Sequence, residues 1–112
     1  MASQKWIYSK NSFFIQVGKL EEYLNEILVI CSQEFNVQVE DAKSTCRKQE
    51  LVYCRKAFCI VVKELLDVKL EVIAGKLNRS KAAVSFFISK QPNNKYYDAC
   101  LSRIKRKVES FK

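Results

Sequence analysis

Apolar residues recur at three- and four-residue spacing along nearly the whole chain, so helices are the predicted elements. Val17, Leu20, Tyr23 or Leu24, Ile27, Leu28, Cys31 and Phe35 predict an amphipathic helix over 14–36, with Glu21, Glu22, Glu26 and Glu34 on its opposite face. Residues 37–43 read as a short connector helix or turn, and Ser44-Thr-Cys-Arg-Lys48 as a basic loop. Leu51, Cys54, Phe58, Val61, Val62 and Leu65 then mark a core helix, so that 47–66 holds the basic loop and this helix. The turn residues Pro92, Asn93 and Asn94 precede a last helix over 94–111, with a stripe of Tyr97, Cys100 or Leu101, Ile104, Val108 and Phe111. Residues 1–12 are polar around Trp6 and Tyr8 and read as a flexible arm. Trp6 is expected to pack on the core, with self-association as the alternative.

Residues 70–90 carry the most informative pattern. Leu70, Ile73, Ala74 and Leu77 form one short stripe that stops at Asn78, a residue type that accepts the left-handed conformation and can turn the chain. Ser80 supplies an oxygen to cap a second helix whose inward side is Val84, Phe87 and Ile88. Small Ala74 lets the two helices cross closely. This is the pattern of a helix-turn-helix, in which the second helix enters the DNA major groove. Arg79, Ser80, Lys81, Ala82, Ser85 and Phe86 fall on its outward side. Arg and Lys can donate to guanine or phosphate there, and Ala can touch a thymine methyl.

Charge sharpens that reading. The 112 residues have a formal net charge of +8. Residues 1–45 hold four lysines and six acidic residues, a net of −2, whereas 46–112 hold sixteen Lys or Arg and six acidic residues, a net of +10. The excess therefore lies with the helix-turn-helix and its flanks, where it would attract a polyanion. Lys48 and Arg55 are seven apart, as are Lys56 and Lys63, so each pair shares a helix face; Arg103, Arg106 and Lys107 are expected to be exposed on the last helix. A basic loop at a helix start opposes the helix dipole, which a phosphate or minor-groove contact by Arg47 or Lys48 would explain. The bland alternative is a solubilising surface on an ordinary helical hairpin.

Other classes find little support. With two Gly and one Pro, the chain favours long helices and one domain of about five to six helices. Five cysteines without a Cys-x-x-Cys, and no His, offer no zinc site; the buried ones read as small apolar residues in a reducing cytosol. No segment resembles a signal peptide or is apolar for long enough to span a membrane. Gly18-Lys19-Leu20 is not a phosphate loop. No catalytic residue, metal or cofactor is expected, and the chain is read as a non-enzyme.

Residues 26–108 resemble, by order of elements, the C-terminal DNA-binding domain of the bacterial replication initiator DnaA. The more specific part runs from Ser44-Thr-Cys-Arg-Lys48 through Tyr53-Cys-Arg-Lys-Ala-Phe-Cys-Ile-Val-Val-Lys-Glu-Leu65 to Leu66. It looks like the family's arginine-bearing loop leading into a long helix that ends in Lys-Glu-Leu. The resemblance implies a compact all-α bundle, related to the Trp repressor, in a stand-alone divergent homologue without the initiator's ATPase. It implies a minor-groove role for Arg47 (or Lys48), makes Arg79 the counterpart of the arginine in the family's Gly-Gly-Arg-Asp-His-Thr-Thr-Val signature, and puts Lys56 and Lys63 near the phosphate backbone. Where the family has Asp-His-Thr-Thr, this chain has Ser80-Lys81-Ala82-Ala83, which argues against the initiator's usual origin box.

The expected partner is double-stranded DNA, bound by a monomer or homodimer through Arg47, Lys48, Arg55, Lys56, Lys63, Arg79, Ser80, Lys81, Ala82 and Ser85. The expected setting is the bacterial cytoplasm at the nucleoid, in replication or transcription regulation. The alternative is a protein-interaction or oligomerisation module that keeps the fold, with the acidic first helix as its partner surface.

Overall fold

The computed structural model describes residues 6–8 and 14–110, with side chains from 20 to 110. Its helices are α1 (Val17–Glu34), α2 (Val39–Ala42), α3 (Gln49–Leu66), α4 (Leu70–Leu77), α5 (Lys81–Ser89) and α6 (Lys95–Glu109). Ahead of them, β1 (Trp6–Tyr8) pairs antiparallel with β2 (Phe14–Gln16), matching Trp6 to Gln16 and Tyr8 to Phe14. Part of the expected arm is thus a strand, and α1 begins at Val17 rather than Phe14. The aromatic and β-branched pair Phe14-Ile15 suits a strand better than a helix start. The Trp6 side chain and Phe111 lie outside the described residues.

Helix α3 is the centre. It buries Leu51, Cys54, Ala57, Phe58, Cys59, Val61, Val62 and Leu66, while Leu65, expected in the stripe, is half-buried. Around it, α1 contributes Leu20, Leu24, Ile27, Leu28, Cys31 and Phe35, and α6 contributes Tyr97, Cys100, Ile104 and Val108. Leu24, rather than Tyr23, is the fully buried member of the α1 stripe. Helix α5 packs chiefly on α3 and α4, whereas α6 packs on α1 and α3.

Three helices end on a residue in the left-handed region: Asn36, Asp67 and Asn78, with φ of 57°, 52° and 56°. At Asn36 and Asn78 the next residue reaches back five positions (Val37 N–H to Ser32 O and Arg79 N–H to Ala74 O, both 2.9 Å), which satisfies the orphan carbonyls and reverses the chain. Asn costs less than most side-chain-bearing residues in this conformation, so the α4–α5 turn is locally encoded. Asn94 caps α6 by accepting from Tyr97 N–H at 3.1 Å.

Ion pairs tie α1, α3, α4 and α6 together. Glu34 on α1 accepts from Arg103 Nε at 3.0 Å and lies 3.7 Å from Lys107, and Lys105 meets Glu64 at 2.7 Å. Glu21 on α1 pairs with Lys76 on α4. Half of the acidic residues noted on the first helix are therefore engaged within the chain.

Candidate nucleic-acid interface

The turn between α4 and α5 sets the site. Ser80 caps α5 by accepting from Ala83 N–H at 3.1 Å, so α5 begins in a fixed direction. Its outward side carries Lys81, Ala82, Ser85 and Phe86, all exposed; its first turn has no acidic residue. The other end of α5 is also held. Lys56 Nζ donates to Lys90 O at 2.8 Å, and Gln91 Nε2 donates to Phe87 O at 2.8 Å while Tyr97 donates to the Gln91 side-chain oxygen.

The basic loop between α2 and α3 is built against this helix by two arginines. Arg55, on α3, is only 3 % exposed. It donates from Nε to Ala42 O at 2.8 Å and from Nη2 to Asp41 O and Ser44 O, both at 3.0 Å. Arg79 also donates to Ser44 O, and to Leu77 O at 3.4 Å and Asn78 O at 3.3 Å. Two guanidinium groups, one from α3 and one from the helix-turn-helix, thus meet at one loop carbonyl. Within the loop, Ser44 Oγ donates to Asp41 O at 2.6 Å and accepts from Cys46 N–H at 3.2 Å. Burial, and then the charge of Arg79, hold the Arg55 guanidinium below its ordinary pKa. Its three hydrogen bonds all go to neutral carbonyls.

Between this loop and α5 lies an open concavity of about 700 Å³, lined among others by Thr45, Arg47, Arg79, Ser80, Ala83 and Phe86. Arg47 faces it. Lys48 lines a different depression, beside Phe35, Asp41 and Tyr96. The alternatives that the loop left open are therefore distinct in space: Arg47 lies with α5, and Lys48 does not.

The remaining expected residues divide in the same way. Ser80, Lys81, Ala82 and Ser85 are together on α5, beside Arg47. Arg55 is a correction: expected on a surface face with Lys48, it is buried because its side chain fastens the loop. Arg79 is half-buried and its guanidinium is occupied by carbonyls. Lys56 is half-buried, with its ammonium on Lys90 O and 5.7 Å from the centre of the Phe86 ring. Lys63 lies 3.6 Å from Asp67, one turn on at the end of α3. Arg103, expected to be exposed, is so, and its guanidinium is paired with Glu34 on α1. Thr45 and Phe86 line the concavity without having been assigned a binding role, and Phe87, expected on the inward side of α5, is half-buried and lines it too; the outward position of Phe86, four residues after Ala82, was the available signal.

No helix among the described residues is long and apolar enough to cross a membrane, and no group of three or more His, Cys, Asp or Glu among them could hold a metal ion. All five cysteines are free thiols, with Cys46 exposed and the other four buried.

A capped, outward-facing helix after a left-handed turn, set beside a basic loop, defines a helix-turn-helix domain of the DNA-binding class. The family model described as the bacterial DnaA protein helix-turn-helix matches residues 24–90. The chain belongs to that family, and its all-helical bundle is consistent with the fold of the DnaA C-terminal domain. The match runs from the first buried turns of α1 to the end of α5, so it includes the loop, the core helix and the helix-turn-helix. No curated protein matches the chain.

Proposed function

We propose that this protein binds double-stranded DNA, with α5 in the major groove and Arg47 in or near the adjacent minor groove. The observation that carries the reading is the convergence of Arg55 and Arg79 on Ser44 O, which joins the Arg47 loop to the start of α5. A rigid element that presents both parts together needs little ordering on binding. Lys81 and Ser85 on the exposed side of α5 would meet base edges or phosphates, and Ser80 would present its capped helix start to the backbone. Lys48, Lys56 and Lys63 add to the positive field, while Arg55 and Arg79 act chiefly by holding the loop. Lys81→Ala is expected to weaken binding by about 1–3 kcal/mol if the lysine reads a base.

The role that follows is regulatory or replication-related and needs no ATPase: with two glycines, the sequence holds no glycine-rich phosphate loop. Five free thiols suit a reducing compartment such as the bacterial cytoplasm. A second reading, a protein-binding surface on α1, draws on exposed Glu22 and Glu26 beside Val29, which is 40 % exposed. Glu21 and Glu34 do not belong to it, being engaged with Lys76, Arg103 and Lys107.

Selection of bound sequences from a randomised duplex library near physiological salt tests the reading. An enriched motif supports it, and the motif's symmetry reports monomer or dimer. Retention without a motif reduces it to charge-driven binding. No retention even at low salt refutes it in favour of the α1 surface.

A further inference from the structure

Phe86 is 55 % exposed in the middle of the helix that the duplex-binding reading puts in the groove. Its ring is held on two sides: Lys56 Nζ lies 5.7 Å from its centre, and Phe87 packs at 6.5 Å with the planes at 66°. Ala82 precedes it by one helical turn on the same face and is also exposed. An apolar strip at this place has two possible occupants, an apolar partner surface or the apolar groups of the groove floor. The surroundings favour the second. Arg47 and Arg79 line the adjoining concavity, and Lys81 and Lys90 stand exposed at the two ends of α5. A cationic frame around a narrow apolar strip suits a polyanion that carries isolated methyl groups. In the DNA major groove the apolar group on offer is the thymine C5-methyl.

We propose that Phe86, with Ala82, reads pyrimidine 5-methyl groups, so that this chain selects thymine by apolar contact along one face of α5. The proposal rests on duplex binding by α5. Four residues of helix rise about 6 Å, and base pairs are spaced by about 3.4 Å, so the two methyl groups would lie about two base pairs apart. The Lys56 ammonium over the ring fixes its orientation and adds a cation–π attraction.

The test uses the full chain and the duplex recovered by selection, with each thymine replaced in turn by uracil, which removes only the C5-methyl. Two positions about two base pairs apart should each lose about three- to five-fold in affinity, the loss expected for one buried methyl. Phe86→Ala should bind the thymine duplex more weakly and show no further loss on uracil at one of the two. Because the change is made in the DNA, a folding defect cannot imitate it. Tight binding with uracil equal to thymine at every position overturns the methyl reading and leaves duplex binding standing. Uracil losses that persist at both positions in Phe86→Ala overturn the assignment to Phe86. Failure to retain any duplex removes both.

Discussion

Replacing Arg55 by Met should loosen the Arg47 loop while leaving the core filled, because Met keeps much of the aliphatic volume. The substitution removes three hydrogen bonds, to Ala42 O, Asp41 O and Ser44 O. The consequences for the three acceptors differ. Ser44 O keeps Arg79, and Asp41 belongs to an exposed residue whose carbonyl also accepts from Ser44 Oγ. Ala42 is fully buried, so its carbonyl loses its guanidinium donor away from water, at a cost of about 1–3 kcal/mol. Relief from burying a cation offsets part of this. The expected net destabilisation is about 2 kcal/mol, read by urea unfolding, with faster amide exchange over residues 43–48. DNA affinity should fall while the salt dependence stays the same, since Arg55 neutralises no phosphate. Arg47→Ala, in contrast, should lower the slope of log K against log salt by about one. An Arg55→Met protein with a stability loss under about 0.5 kcal/mol and unchanged loop exchange would refute the clamp. So would a reduced salt slope, which would make Arg55 a phosphate contact.

Ser80→Ala removes the cap on α5 and should cost about 1 kcal/mol, measured by chemical denaturation, with weaker DNA binding because the helix start frays. Asn78→Val forces a β-branched residue to φ 56° and should cost about 1–2 kcal/mol, whereas Asn78→Gly should be nearly neutral; equal effects of the two would refute the left-handed turn as the constraint. In a thiol-modification assay at neutral pH, Cys46 should react at once and the four buried cysteines only on unfolding. Burial pushes the Cys54 thiol up to about 11 and Cys59 to about 12, from an ordinary 9.0. For groups raised in the folded state, their contribution to stability is complete below pH 9 and is lost between pH 9 and 12, as the unfolded chain ionises first. Alkaline unfolding that shifts upward in Cys54→Ala with Cys59→Ala checks the sign.

The local grammar of the chain was legible because local physics decides it. Asn78 and Ser80 determine the turn and the start of α5 through a backbone preference and a side chain that bonds three residues on. The stripes of α1, α3, α4 and α6 follow from helical periodicity, which is why most of the buried set among the described residues could be named, although Leu65 and Leu70 are half-buried and the buried Ile30, Ala57 and Leu66 were missed. Periodicity also put Phe86 outward. It could not say which cations remain available, since Arg and Lys reach partners far along the chain. Arg55 finds Ala42 and Arg79 finds Ser44, 13 and 35 residues away, and Arg103 finds Glu34 at a separation of 69. Nor could it separate Arg47 from Lys48, adjacent residues that face different depressions once α2 and α3 have packed. By itself the sequence determined the helices, the turn and the side on which positive charge collects. Only the tertiary structure decided which charges are spent on carbonyls and carboxylates, because a charge's partner depends on which distant groups the fold brings within hydrogen-bonding reach.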